Sequence, residues 1–221
     1  MTPFTRLQAV AMPLPRPNLD TDQILPARYL QKPRSVGFAQ FLFDDVRRLA
    51  DGSSDPAFPL NQPVYRDARI VVGGANFGCG SSREHAVWAL ADHGFRAVIA
   101  PSFGDIFRGN APKNGLLPVV LAAVDVEHLL ALLAAEPGAR VTVDLRTREV
   151  TLPDSSLRVF DIEPFARHCL LNGLDEIDYT LTLLPQIEAF ERQMEEREME
   201  ERKMKSERWK VPTDEDPGPA R

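Results

Sequence analysis

The stretch that most restricts the fold runs from Arg69 to Ala135, where short aliphatic runs alternate with helical segments. Arg69–Val72 is β-branched and ends in Gly73 and Gly74, which predicts a strand closed by a turn. A glycine-rich turn follows, then a helix over about Arg83–His93. Arg96–Ala100 predicts a second buried strand, Phe103–Gly109 a helix opened by Pro101 and Ser102, and Leu116–Leu121 a third strand. Asp125 is placed to cap a helix reaching Ala135. Such alternation predicts an α/β domain with parallel strands.

The flanks depart from a plain doubly wound sheet. Residues 1–35 are rich in proline and polar groups and predict loops around one or two short strands. Gly37–Leu49 carries Phe38, Phe41, Leu42, Val46 and Leu49 at helical spacing. Asp51–Pro63 reads as an exposed loop. Val141–Leu145 and Glu149–Leu152 flank Arg146-Thr147-Arg148 as a hairpin, a strand follows near Arg158–Phe160, and a helix spans Pro164–Leu171. From Pro185 to Trp209 the chain is dominated by Glu, Arg, Lys, Gln and Met, with i,i+4 pairs at Glu188–Arg192, Glu198–Arg202 and Glu201–Lys205. This predicts a solvated helix that begins on Ile187, Phe190 and Met194 and frays into disorder over Val211–Arg221. The expected organisation is one domain over 1–193 and a charged helical extension over 194–221.

Composition narrows the function. Net charge is -6 over 221 residues. No cationic excess is available to neutralise phosphates, which argues against nucleic acid as a partner. The most apolar segment, Val119–Ala135, is interrupted by Asp125, Glu127 and His128, and is too short and polar for a bilayer. No basic region followed by an apolar run opens the chain, so a soluble cytoplasmic protein is expected. Cys79 and Cys169 are the two cysteines and lack metal-ligand spacing. Two thiols do not make the usual ligand set of an iron–sulfur cluster.

Chemistry concentrates in Asn76-Phe77-Gly78-Cys79-Gly80-Ser81-Ser82-Arg83-Glu84-His85-Ala86. Gly78 and Gly80 let backbone amides approach a ligand. Ser81 and Ser82 fall where a helix is expected to begin, so free N–H groups and the positive end of the helix dipole suit an anion. Arg83 adds a guanidinium that can hold a carboxylate through two hydrogen bonds. The alternative is purely structural: Ser81 and Glu84 have the spacing of a capping box. The turn does not follow the dinucleotide, P-loop or nucleophile-elbow patterns.

This string resembles the signature of the small subunit of isopropylmalate isomerases, which is similar to the swivelling domain of aconitase. Asn18–Leu30 resembles the family's Asp-Thr-Asp segment, and Gly94–Phe107 and Lys113–Pro118 its following strand–helix–strand. Asn61-Gln62-Pro63 and Gly173-Leu174-Asp175 also match in position. The resemblance covers roughly Phe4 to Arg192 and implies a swivel-type β/β/α domain. It implies that Ser81 is the base for a carbon-bound proton, and that Gly80, Ser82 and Arg83 bind substrate carboxylate. It also implies that the loop of about Tyr29 to Val36, with Arg28, Tyr29 and Leu30 at its start, meets the substrate's side chain. A [4Fe-4S] cluster is expected on a large-subunit partner, with none on this chain. The implied reaction dehydrates and rehydrates a small dicarboxylate, interconverting 2- and 3-isopropylmalate. The chain departs from the family at Ala75, where many relatives are acidic, at Gly109–Pro112, and in the tail after Met194.

Two other readings stand beside it: a related hydro-lyase for another small dicarboxylate, of homoaconitase or dimethylmaleate type, and a non-catalytic carboxylate-binding module. Elsewhere, Asp20 and Asp22 are expected to order a turn or Arg28. His85 and His93 are expected to pack, Cys79 to be a small packed residue or a thiol of lowered pKa, and Lys113 and Asn114 to serve structure or an interface.

Overall fold

The computed structural model describes residues 1–208, so the expectations for Trp209 and Val211–Arg221 lie outside the described residues. The chain divides into two units, Met1–Glu176 and a second that begins at Ile177.

The first unit is built on a seven-stranded mixed sheet. Its strands are β1 (Arg6–Leu14), β2 (Ile70–Gly73), β3 (Ala97–Ala100), β4 (Leu117–Val120), β5 (Arg140–Asp144), β6 (Glu149–Thr151) and β7 (Leu157–Val159), in the order β4-β3-β2-β1-β5-β6-β7. Helices α1 (Thr21–Ile24), α2 (Glu84–His93), α3 (Asp105–Lys113), α4 (Ala123–Ala135) and α5 (Pro164–Asn172) complete it. β2, β3 and β4 are joined through α2 and α3, as their alternation in sequence requires. Successive residues of β2 feed opposite faces: Val71 joins the core shared with Ala86, Val87 and Leu90 of α2, while Ile70 and Val72 join Val126, Leu129 and Leu133 of α4. Both faces are therefore covered, which is why these strands read as continuous apolar runs.

β1 is the element the sequence concealed. Nine residues long, it pairs parallel to β2 through Ala11–Leu14 and antiparallel to β5 through Arg6–Val10. Proline in a central strand normally removes a ladder bond. Pro13 escapes because it lies beyond the end of β5 and has a strand neighbour on one side only. The helical spacing of Gly37–Leu49 also misleads. Phe38, Leu42 and Phe43 are buried, but on a chain of turns with a single 3-10 turn at Ala39–Phe41, and Phe43 takes a φ of 56°. The ion pairs of Asp44, next along, hold that irregular path.

Smaller differences have local causes. α3 runs past Gly109 to Lys113 and carries Pro112 in its last turn, where only one ladder bond is lost. Asp125 does not cap α4. The cap residue is Ala122, and the Asp125 carboxylate pairs with Arg158 instead. The hairpin, β7 and α5 lie close to their predicted places, α5 opened by Pro164 and capped by the Glu163 side chain.

The second unit holds most of α6 (Glu176–Thr182) and all of α7 (Leu184–Arg208). Of the expected tail anchors, Phe190 is 63% exposed and Met194 42%, so α7 is solvated almost from its start. Of the three i,i+4 pairs, Glu198–Arg202 closes at 3.7 Å.

Candidate active site

The site forms where two distant segments meet at the end of β2. Gly78 N donates to Leu19 O at 2.7 Å, Thr21 N to Cys79 O at 2.9 Å, and the Thr21 hydroxyl to Ser81 O at 3.0 Å. The Asn76 side chain donates to Asn18 Oδ1 at 2.8 Å. The Asp-Thr-Asp segment thus serves as the second wall of the glycine turn. Asp20 caps α1 in a capping box with Gln23, and Asp22 pairs with Arg83 rather than with Arg28. Sequence alone left that pairing open because the two residues are 61 positions apart.

The third wall is the turn after β3. Phe77 N donates to Ser102 O at 3.0 Å, Asn76 N to the Ser102 hydroxyl at 2.8 Å, and Gly104 N to Phe77 O at 2.9 Å. Gly78 has a φ of +70°, and a Cβ there would overlap the Phe107 ring, so this turn needs glycine twice over, for angle and for space.

Within this frame the two serines are left exposed. α2 begins at Glu84, later than the sequence suggested, with Arg83 as its cap residue and no side-chain cap bond. The capping-box alternative for Ser81 is therefore not realised. The Glu84 carboxylate accepts instead from Asn114 Nδ2 at 2.8 Å, and Asn114 Oδ1 takes the Trp88 indole N–H at 3.0 Å. Asn114 thereby acts structurally, pinning the first turns of α2. Among the described residues, neither serine hydroxyl makes a hydrogen bond, nor do the amides of Gly80, Ser81, Ser82 and Arg83. These four amides lie just before the first turn of α2, and unpaired amides in such a turn suit an anion.

The neighbours set the electrostatics. The Arg83 side chain is 16% exposed. Burial, with the charge of Asp20 adding to it, pushes the Cys79 thiol up, which argues against the reactive-thiolate reading of that residue. His85 sits 5.4 Å from Phe38 and 4.4 Å from Trp88 between ring centres. Burial lowers its pKa, with Arg34 and Arg83 contributing, so it is a neutral packed ring at pH 7.

Arg28 and Tyr29 lie on a 3-10 turn closed by Leu30, and among the described residues no hydrogen bond or ion pair ties them to the glycine turn. Arg28 reaches Asp45 at 2.6 Å and Asp44 at 2.9 Å, and these acids with Tyr29 keep its guanidinium charged. Tyr29 stacks on Phe41 at 4.1 Å. Among the described residues no three His, Cys, Asp or Glu side chains gather to hold a metal. Cys79 lies in the turn and Cys169 in α5, and burial raises both thiols. This donor set does not fit an iron–sulfur cluster.

Residues 1–124 match the aconitase C-terminal domain and residues 127–164 match LeuD_N. The chain is 50% identical over 194 residues to the 3-isopropylmalate dehydratase small subunit of Cereibacter sphaeroides, covering 88% of this chain and 96% of the relative. This chain belongs to the 3-isopropylmalate dehydratase small-subunit family. The Paramagnetospirillum magneticum member is 51% identical over 191 residues, 86% of this chain and 95% of that one. A crystal structure of 3-isopropylmalate dehydratase from Methanocaldococcus jannaschii aligns with a TM-score of 0.62 at 26% identity, over 84% of this chain and 99% of that chain. The swivel-type α/β fold is that of the family.

Proposed function

We propose that this chain works with a large subunit to interconvert 2-isopropylmalate and 3-isopropylmalate by dehydration and rehydration, in the cytoplasm, as a step of leucine biosynthesis. The small-subunit names of its relatives support the partner and the substrate. The observation that carries the reading is the pair of exposed serines within a run of four amides without a partner among the described residues, with Arg83 following in the chain.

The division of labour follows from the chemistry. A carbon-bound proton next to a carboxylate must be removed, and Ser81 is the candidate base. A neutral hydroxyl is a weak base, so its alkoxide must be stabilised by donors already in place, and the amides of Gly80–Arg83 fill that role. Ser82 and Arg83 hold a substrate carboxylate. Asp22 fixes one edge of the guanidinium and presents the rest. Arg28, Tyr29 and Leu30, with the loop that follows, border the substrate's side chain. Cys79, held neutral, does not compete for the proton. The [4Fe-4S] cluster, which would accept the departing hydroxyl as a Lewis acid, is assigned to the large subunit. Residues 1–193 are taken as the enzymatic domain and 194–221 as an appendage.

The test is reconstitution. The chain alone should be inactive on 2-isopropylmalate, and mixing with an anaerobically prepared large subunit should produce turnover. A reconstituted pair that binds but never turns over this substrate would overturn the assignment.

A further inference from the structure

The segment that follows Arg28 is tied down at both ends by carboxylates far away in sequence. At its start, Asp44 is 7% exposed, one of few buried charged groups. Its Oδ2 accepts from Arg28 at 2.9 Å and from the Tyr29 hydroxyl at 2.5 Å, and its Oδ1 from Arg48 at 2.6 Å. At its far end, Asp92 near the end of α2 takes both arms of Arg34, at 2.6 and 2.7 Å, and the Phe38 amide at 2.8 Å. Burial opposes the charged form of each acid. The hydrogen bonds prevail, from Tyr29, Arg48 and Arg28 on Asp44 and from Arg34 and Phe38 on Asp92, so both stay below the ordinary carboxylate value.

Between these anchors run Leu30, Gln31, Lys32 and Pro33, of which the last three are exposed. The clamped segment lies along α2. Arg34 stands 5.1 Å over the Trp88 ring, Trp88 contacts His85, and Phe38 lies 5.4 Å from His85, two residues beyond Arg83. The span thus runs between α1, whose Thr21 holds Ser81, and the first turns of α2, and Leu30, its aliphatic side chain, is partly buried against the core.

We infer that Asp44 and Asp92 are positioning residues that fix the two ends of the 29–37 segment, so that Leu30–Pro33 forms a preshaped wall for the substrate's alkyl group. This rests on the proposed function. Neither acid touches substrate. Each acts through an arginine, Asp44 through Arg28 with Tyr29 and Asp92 through Arg34, and a bidentate pair gives geometry as well as charge.

The experiment uses the reconstituted two-subunit enzyme with Asp92→Asn and Asp44→Asn, assayed on 2-alkylmalates bearing an isopropyl or a methyl group. Asp92→Asn should raise KM for the isopropyl substrate on the order of tenfold with kcat within about twofold, and leave the methyl substrate nearly unchanged. Asp44→Asn should move discrimination the same way. Asp92→Glu should recover part of the loss, and Asp92→Asn combined with Arg34→Ala should be no worse than either alone. Equal losses on both substrates, or unchanged discrimination, would overturn the inference. Hydrogen exchange on the small subunit separates this from the parent reading. Amides 30–37 should exchange faster in Asp92→Asn, and unchanged exchange sinks the clamp whatever the wild-type pair turns over. Absence of wild-type turnover, by contrast, counts against the proposed function.

Discussion

Two serine-bearing turns follow adjacent parallel strands of the same sheet, and they spend their hydroxyls differently. After β3, the Ser102 oxygen accepts the Asn76 amide, and the turn reaches α3 within four residues. After β2, ten residues pass before α2, and Ser81 and Ser82 remain exposed with no hydrogen bond among the described residues. The first turn braces the second. A hydroxyl at the carboxyl end of a strand is not by itself a functional signal; a longer, glycine-shaped connection supported by a tight neighbour makes it one.

The contrast can be broken at several points. The largest effect is expected from Ser81→Ala in the reconstituted enzyme: kcat should fall by about 10³-fold, within the usual range for a lost general base, with the thermal midpoint unchanged. Ser102→Ala should do the reverse, costing about 1 kcal/mol of stability in denaturant unfolding through the unpaired Asn76 amide and leaving most of kcat. Gly78→Ala, on the face shared by both turns, should cost about 2–4 kcal/mol in the same measurement, because the new methyl meets Phe107 at a positive φ. Arg83→Lys keeps the charge but loses the fork, and should raise KM roughly tenfold with kcat less affected.

The smallest effect is electrostatic. His85 and His93 are both lowered below 6.5, chiefly by burial, so the unfolded chain binds protons that the folded chain refuses. Their contribution is complete above pH 6.5 and is lost as pH falls through their lower folded values. Stability measured from pH 7 to 5 should decline, and His85→Gln with His93→Gln should flatten the slope.

The sequence revealed most where local pattern and tertiary role agree. β2, β3, β4, α2 and α5 are legible because continuous apolar runs, glycine stops and proline starts encode them locally. β1 was hidden because Pro13 within it, with Pro3 and Pro15 on its flanks, signals against a strand, and only the end of β5 explains why Pro13 is allowed. Gly37–Leu49 had helical spacing but is shaped in part by the ion pair of Asp44 with Arg28, 16 positions away, which no spacing rule connects. At the site, the glycine turn and its serines could be read directly. The ties from Asp22 to Arg83, from Arg34 to Asp92 and from Asn114 to Glu84 could not, since each joins residues 30 or more positions apart.

The central claim is that the Ser81 hydroxyl handles a carbon-bound proton while its structural counterpart at 102 does not. It is tested most directly by isotope exchange. The reconstituted enzyme is incubated with 2-isopropylmalate in D₂O and deuterium at carbon is followed by mass spectrometry. Wild type and Ser102→Ala should both incorporate label, while Ser81→Ala should incorporate none on the timescale of wild-type equilibration. Label entering the Ser81→Ala reaction at the wild-type rate would contradict the account.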